Sequence, residues 1–293
     1  MSGEIINFIF SGTLNGAVFS LIALGYSLVY GVGHIMNLAH GAYFMITGYM
    51  LLWFLTFIPS FPLLNVLLVV TIVTIIGGLT YILLIKPLQD TNVGVVLVTF
   101  GLAFFLEQYA LGISGTTSYS ISDYMIIPGA TKVWGYSMIN QYILLIFMSL
   151  IIVLMFALFI SKSKLGKSIR AVSQDREAAT LMGINANRIL FYTVMISAFL
   201  ASIAAVLYLP VAAINGPSMG WSFLTNSFAV VILGGMGSLI GSVVGAYIVG
   251  FLTSFTILFI PNGPSWANLV PIIVIVIMLI IRPQGLFGKK ELR

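Results

Sequence analysis

The chain has 293 residues, of which 60% are hydrophobic and only 6% charged, against about 25% charged in an ordinary soluble domain. Twelve basic and seven acidic residues leave a net charge of +5, too little charge to wet a soluble surface, and the absence of cysteine excludes disulfides and thiol chemistry. The apolar runs are continuous rather than alternating, which excludes a β-barrel and points to an all-α polytopic membrane protein forming one transmembrane domain over 1–293.

The first apolar run has no basic n-region and no small-x-small cleavage site, so it reads as a retained helix, Asn7–Tyr30, and not as a signal peptide. A second span is expected at Met36–Phe57, ended by Pro59 and Pro62, and a third at Leu63–Ile85. The polar turn KPLQDTN follows, then a fourth span, Val93–Leu111, which encloses Glu107. The loop GISGTTSYSISDYMIIPGATKVWGYS carries one Lys and one Asp and reads as extracytoplasmic. A fifth span is expected at Ile139–Ile160 and a sixth at Ile189–Leu209, ended by Pro210. Between them lies a basic loop, 161–188. Six of the twelve basic residues fall from Lys162 to Arg188 and four from Arg282 to Arg293, which places that loop and the C-terminus in the cytoplasm by the positive-inside rule.

Beyond Pro210, Phe223–Leu233 is apolar but short of the ~20 residues a span needs. The segment GGMGSLIGSVVGAYIVG (Gly234–Gly250) then packs six glycines into seventeen positions, the pattern of a glycine-broken or re-entrant helix whose freed backbone is covered by protein or lines a cavity. Ser242–Ile260 and Trp266–Ile281 complete the set. Two crossings in the glycine-rich region give nine segments and an outside N-terminus; a re-entrant one gives eight. HGAY (His40–Tyr43) and VGAY (Val244–Tyr247) echo each other, too briefly to establish a repeat.

Within the basic loop, AVSQDREAATLMG has helical spacing. Asp175, Arg176 and Glu177 stand near its start, and Ala178, Ala179, Leu181 and Met182 give an apolar stripe ahead of Gly183. Such a helix suits a groove in a soluble partner or the lipid headgroup layer. The nearby GKS lacks the upstream glycine of a phosphate-binding loop, since Ser161 stands there, so ATP, if used, is hydrolysed by another subunit. His34 and His40 have no neighbouring carboxylate and make a poor metal site. With Asn37, His40 is either an interhelix hydrogen-bonding group or part of a translocation path. Glu107 is the acidic residue deep in an apolar run, a functional candidate by its cost. Gly234, Gly235 and Gly237, with Asn226 and Ser238 nearby, are candidates for a pore-lining break or for close helix packing.

MNLAHGAYFMITGY, RAVSQDREAATLMGINANRI, VILGGMGSLIGSVVGAYIVG and RPQGLFG, in that order, resemble the membrane permeases of bacterial branched-chain amino acid ABC importers over nearly the whole chain. Permeases for urea and short-chain amides belong to the same family. The resemblance implies half of a heterodimeric channel in the bacterial inner membrane. Its partners are a second homologous permease, two cytoplasmic ATPases that use the ATP, and a periplasmic or lipid-anchored binding protein that delivers leucine, isoleucine or valine. This chain itself would be non-catalytic and bind no cofactor, working by alternating access. Glu177-Ala178-Ala179-x-x-x-Gly183 is similar to the EAA loop by which import permeases engage the ATPase. The I-x-L-P that follows in the broader pattern is missing: Thr193 stands near the Ile position, and Leu209-Pro210 comes too late. Against this stands a self-sufficient secondary carrier or facilitator, for which one Glu and one glycine-rich break are thin support. A signalling protein would carry a soluble domain, and a membrane enzyme clustered His or Asp.

Overall fold

The computed structural model describes residues 2–122, 125–133 and 136–288. In lipid, every backbone polar group must be satisfied within the segment, so long apolar runs become helices. They are α1 (Ser2–Gly33), α2 (His40–Phe57), α3 (Pro62–Thr80), α4 (Lys86–Leu88), α5 (Asn92–Ser114), α6 (Asn140–Lys162), α7 (Lys164–Gln174), α8 (Arg176–Leu181), α9 (Ala186–Ala212), α10 (Met219–Gly234), α11 (Leu239–Phe259), α12 (Gly263–Ala267) and α13 (Val270–Ile281). Among the described residues six helical stretches are long and apolar enough to cross a membrane, while α10 and α13 are shorter apolar helices.

Two local expectations are corrected. KPLQDTN is not all turn: a π-helical turn, Tyr81–Ile85, carries α3 into α4, making one stretch of 27 residues, Pro62–Leu88. Pro210 lies inside α9, which ends two residues later at Ala212; its missing N–H removes one intrahelical bond, and the helix stops within the next turn. The loop between α5 and α6 also holds a two-stranded antiparallel hairpin, β1 (Ala130–Val133) and β2 (Tyr136–Ile139), with Thr131 opposite Met138.

Residue pairings give each helix its direction. Gly12 faces Phe251 and Gly16 faces Tyr247, so α1 and α11 run antiparallel, close enough that a Cβ on Gly250 would lie 2.4 Å from the Gly16 nitrogen. Gly25 meets Ser197 and Gly33 meets Leu190, setting α9 antiparallel to α1. Gly77 meets Ala198 while the Tyr81 ring lies tilted against Phe191, setting α3 antiparallel to α9. The bonds Leu38–Thr99 and Trp53–Ser114 make α2 and α5 parallel. Gly41 against Leu224 and Gly48 against Met219 make α10 antiparallel to α2. His40 on Ser197 and Gly48 on Leu209 set α2 parallel to α9, Gln141 at the start of α6 donates to Leu207 O near the end of α9, and Leu286, just past α13, meets the end of α10, so α1, α2, α3, α5, α6, α9, α10, α11 and α13 alternate in direction along the chain. One end of the bundle gathers Lys86, Lys162, Lys164, Lys167, Arg170, Arg176, Arg188 and Arg282, and the other has Lys132 among the described residues. The tail residues Lys289, Lys290 and Arg293 lie outside the described residues.

The core centres on α1 and α9. Tyr43, Phe44 and Tyr49 of α2 are its largest fully enclosed side chains, and Phe44 stacks on Phe223 of α10 with ring centroids 3.9 Å apart. α5 and α6 lie at the periphery, with most of each apolar window uncovered.

Candidate functional site

The candidates from the sequence separate into four places. The first is α8, at the basic end of the bundle. Its six residues are bounded by two local devices. Asp175 accepts a bond from the Ala178 N–H at 2.9 Å, satisfying one of the orphan donors at the helix start. Gly183 adopts φ +84°, and its N–H donates to Thr180 O at 2.9 Å while Ile184 N–H donates to Ala179 O at 3.0 Å. That pair of bonds is a Schellman ending, whose left-handed residue favours glycine. The spacing from Asp175 to Gly183 is thus a capped helix of under two turns.

The expected apolar stripe divides. Ala179 is buried beneath the helix, whereas Leu181 and Met182 are 89% and 84% exposed; Ala178 and Glu177 also face outward. Arg176 donates from Nη2 to Asn187 Oδ1 at 2.9 Å and ties α8 to the first turn of α9. Gly166, of the GKS triplet, sits under α7: its N–H is capped by Ser163 Oγ at 2.8 Å, and a Cβ there would meet the Phe159 carbonyl oxygen. It shapes the α6–α7 corner.

The second place is the buried junction of α1, α2 and α9. His40 is fully enclosed. Its Nε2 donates to Ile22 O at 2.8 Å, which leaves Nδ1 to accept from Ser197 Oγ at 2.9 Å. Tyr26 and Tyr43 set their rings edge-on to it. Asn37 is buried beside it, its Oδ1 accepting from Ala39 N–H at 3.1 Å. The two His40 hydrogen bonds clamp α2 to α1 and α9, and no group of three His, Asp or Glu exists among the described residues.

The third place is the glycine-rich break. α10 ends at Gly234 and α11 begins at Leu239, with Gly235 at φ +102° and Gly237 at φ +81° between them. Ser238 caps α11 by accepting from Gly241 N–H at 3.1 Å. The freed carbonyls of α10 are met by the chain's own RPQGLFG segment: Leu286 N–H donates to Leu233 O at 2.8 Å and Phe287 N–H to Gly234 O at 3.0 Å. Gly234 lies against Gly241, and Gly41 and Gly245, the glycines of HGAY and VGAY, both pack on α10.

The fourth place joins α5 to α10. Half-buried Glu107 accepts a hydrogen bond from Trp221 Nε1, and the Phe100 ring lies 5.3 Å from Trp221. Asn226 stands further along α10, its Nδ2 donating to Ser222 O at 2.9 Å. Trp221, the partner of Glu107, was hidden in the uncharged stretch INGPSMGWS. Its signal is an indole in a membrane segment with a carboxylate needing a donor.

Residues 8–279 match the family model described as "Branched-chain amino acid transport system / permease component". The chain is 29% identical over 296 aligned positions to the high-affinity branched-chain amino acid transport system permease protein BraD of Pseudomonas aeruginosa, covering 96% of this chain and 95% of that one. It is 24% identical to the corresponding LivH permease of Escherichia coli K12, covering 99% of each. Its fold is similar to a chain of PsaBC from Streptococcus pneumoniae in complex with Fab, at TM-score 0.53 and 16% identity over 98% of both chains.

Proposed function

Because the chain belongs to the branched-chain amino acid transport system permease family, we propose that it is one of two membrane subunits of an ATP-driven importer of leucine, isoleucine and valine. It is a permease component and not the ATPase. Its partners are a second related permease, two cytoplasmic ATPases and an external binding protein. The nine alternating helices are nine crossings. The end rich in Lys and Arg faces the cytoplasm, because translocation disfavours short loops of positive charge, and the N-terminus and the β1–β2 hairpin face outside. At about 24 Å, α10 reaches most of the ~30 Å hydrocarbon layer.

The observation that carries this reading is the build of α8 on a whole-chain family match. Asp175, Arg176, Ala179 and Gly183 fix a short cytoplasmic helix to the bundle, and Glu177, Ala178, Leu181 and Met182 are left for a partner. Isolated surface leucine and methionine this exposed suit a hydrophobic groove, here one in the ATPase. Asn37, His40, Gly234, Gly235, Gly237 and Ser238 hold the path's framework, while Glu107 and Asn226 face it.

The test is co-expression of all subunits with a tag on this chain. The ATPase subunits are expected to co-purify, and Leu181→Asp with Met182→Asp is expected to release them while the permease remains in the membrane. Full retention of the ATPase by the doubly charged variant refutes docking through α8.

A further inference from the structure

The outward faces of the membrane helices differ in kind. α6 presents Phe147, Leu150, Ile151 and Leu158, and α13 presents Ile272, Ile273, Ile277 and Ile280. These surfaces match hydrocarbon. α10 instead turns outward Ser218 and Ser222, with Thr225 and Asn226 half-exposed beside them. Positions 218, 222, 225 and 226 recur at i, i+4, i+7 and i+8, which is one helix face. The Ser218 and Ser222 hydroxyls make no hydrogen bond among the described residues, whereas Thr225 is tied back to Trp221 O at 2.8 Å. A stripe of amide and hydroxyl groups gains nothing against lipid; polar groups at membrane depth face a bundle interior, a cavity or another helix.

At the outer part of the stripe, Trp221 pins one carboxylate oxygen of Glu107. The other oxygen accepts no bond among the described residues. Phe100 and Phe104, both exposed, stand seven and three residues before Glu107 on the same face of α5, and the Phe100 ring lies 5.3 Å from Trp221. The described Lys and Arg residues all lie at the two ends of the bundle, so none pairs with Glu107. A fixed acceptor on a helix face that also carries exposed aromatic rings suits an ammonium group, by charge-assisted hydrogen bonding and by cation–π attraction. The free hydroxyls supply donors for a carboxylate, and the aromatic rings supply apolar surface for an aliphatic side chain.

We infer that the α5/α10 face is the wall this chain gives to the solute path and that Glu107 seats the ammonium group of a zwitterionic amino acid passing along it. This rests on the importer reading above. It also separates amino acids from urea and amides, which are neutral and need no carboxylate.

The chain has no cysteine, so single cysteines can be read in it without background. In the assembled transporter in liposomes, Ser222→Cys and Asn226→Cys are expected to react with a membrane-impermeant thiol reagent, and more slowly with saturating leucine and binding protein present. Ile151→Cys on α6 is expected to stay unlabelled. Glu107→Gln is expected to lower leucine uptake at subsaturating solute by about tenfold or more, the worth of a charge-assisted bond, while the subunits still co-purify. Glutamine still accepts the Trp221 N–H, so a purely structural Glu107 predicts uptake within about twofold of wild type, and that result overturns the seat. Absence of labelling at both α10 positions overturns the wall. If wild-type complex takes up no leucine with ATP and binding protein, the importer reading falls and takes the inference with it.

Discussion

The α6 and α10 helices both turn a face outward, yet they are opposite in composition. α6 exposes a broad aliphatic and aromatic surface over 23 residues; α10, at 16, exposes serines, a threonine and an asparagine. Hydropathy ranks α6 as an obvious span and leaves α10 below the length limit. A lipid-facing helix must be uniformly oily, while a helix between protein and water is free to be short and mixed. The weaker transmembrane signal therefore falls on the helix proposed to line the solute path.

Exchanging polarity between the two faces gives the largest expected effect. Leu150→Asp places a charge near the middle of the lipid face, at a cost of about 3 kcal/mol, and is expected to deplete folded permease from the membrane. Ser222→Asp on α10 is expected to leave the membrane content near normal. Quantitative blotting of membrane fractions reads both, and equal depletion by the two variants erases the distinction between the faces.

A fixed interior is what keeps the faces apart, and His40 is its clamp. His40→Ala removes both hydrogen bonds and leaves the buried Ser197 hydroxyl without its partner. The expected loss is about 2 kcal/mol, seen as a lowered unfolding temperature of the purified complex. An unchanged unfolding temperature means the clamp is not structural.

Smaller effects are expected at α8, which stands outside the bundle. Gly183→Ala forces a side chain into the left-handed region at about 1–2 kcal/mol. Leucine uptake per ATP hydrolysed is expected to fall, with the unfolding temperature of the bundle unchanged. Asp175→Ala removes a helix cap worth about 1 kcal/mol and is expected to weaken coupling in the same direction but less. Normal coupling in both variants reduces the charged loop to a topology signal.

Local features of the molecule were legible in the sequence. The long spans were readable from continuous apolar runs, and α8 from the Asp175-to-Gly183 spacing. Features that depend on distant partners were not. The glycine break pointed to a cavity or close packing, and only the fold shows that Leu286 and Phe287, about fifty residues on, cover its carbonyls. Glu107 was singled out, but Trp221 lies 114 residues away. The segment expected from Phe223 begins at Met219, because Gly216, Pro217 and Gly220 are turn-forming residue types, although Gly220 is helical and packs against Gly41.

The central claim is that this chain passes amino acids only when driven from its basic face. Its most direct test is radiolabelled leucine uptake into liposomes holding the full complex, with binding protein outside and ATP enclosed, compared with liposomes holding this chain alone. Uptake is expected only with the complex and only with ATP. Leucine uptake by this chain alone, without ATP or ATPase, would contradict the account and make the protein a self-sufficient carrier.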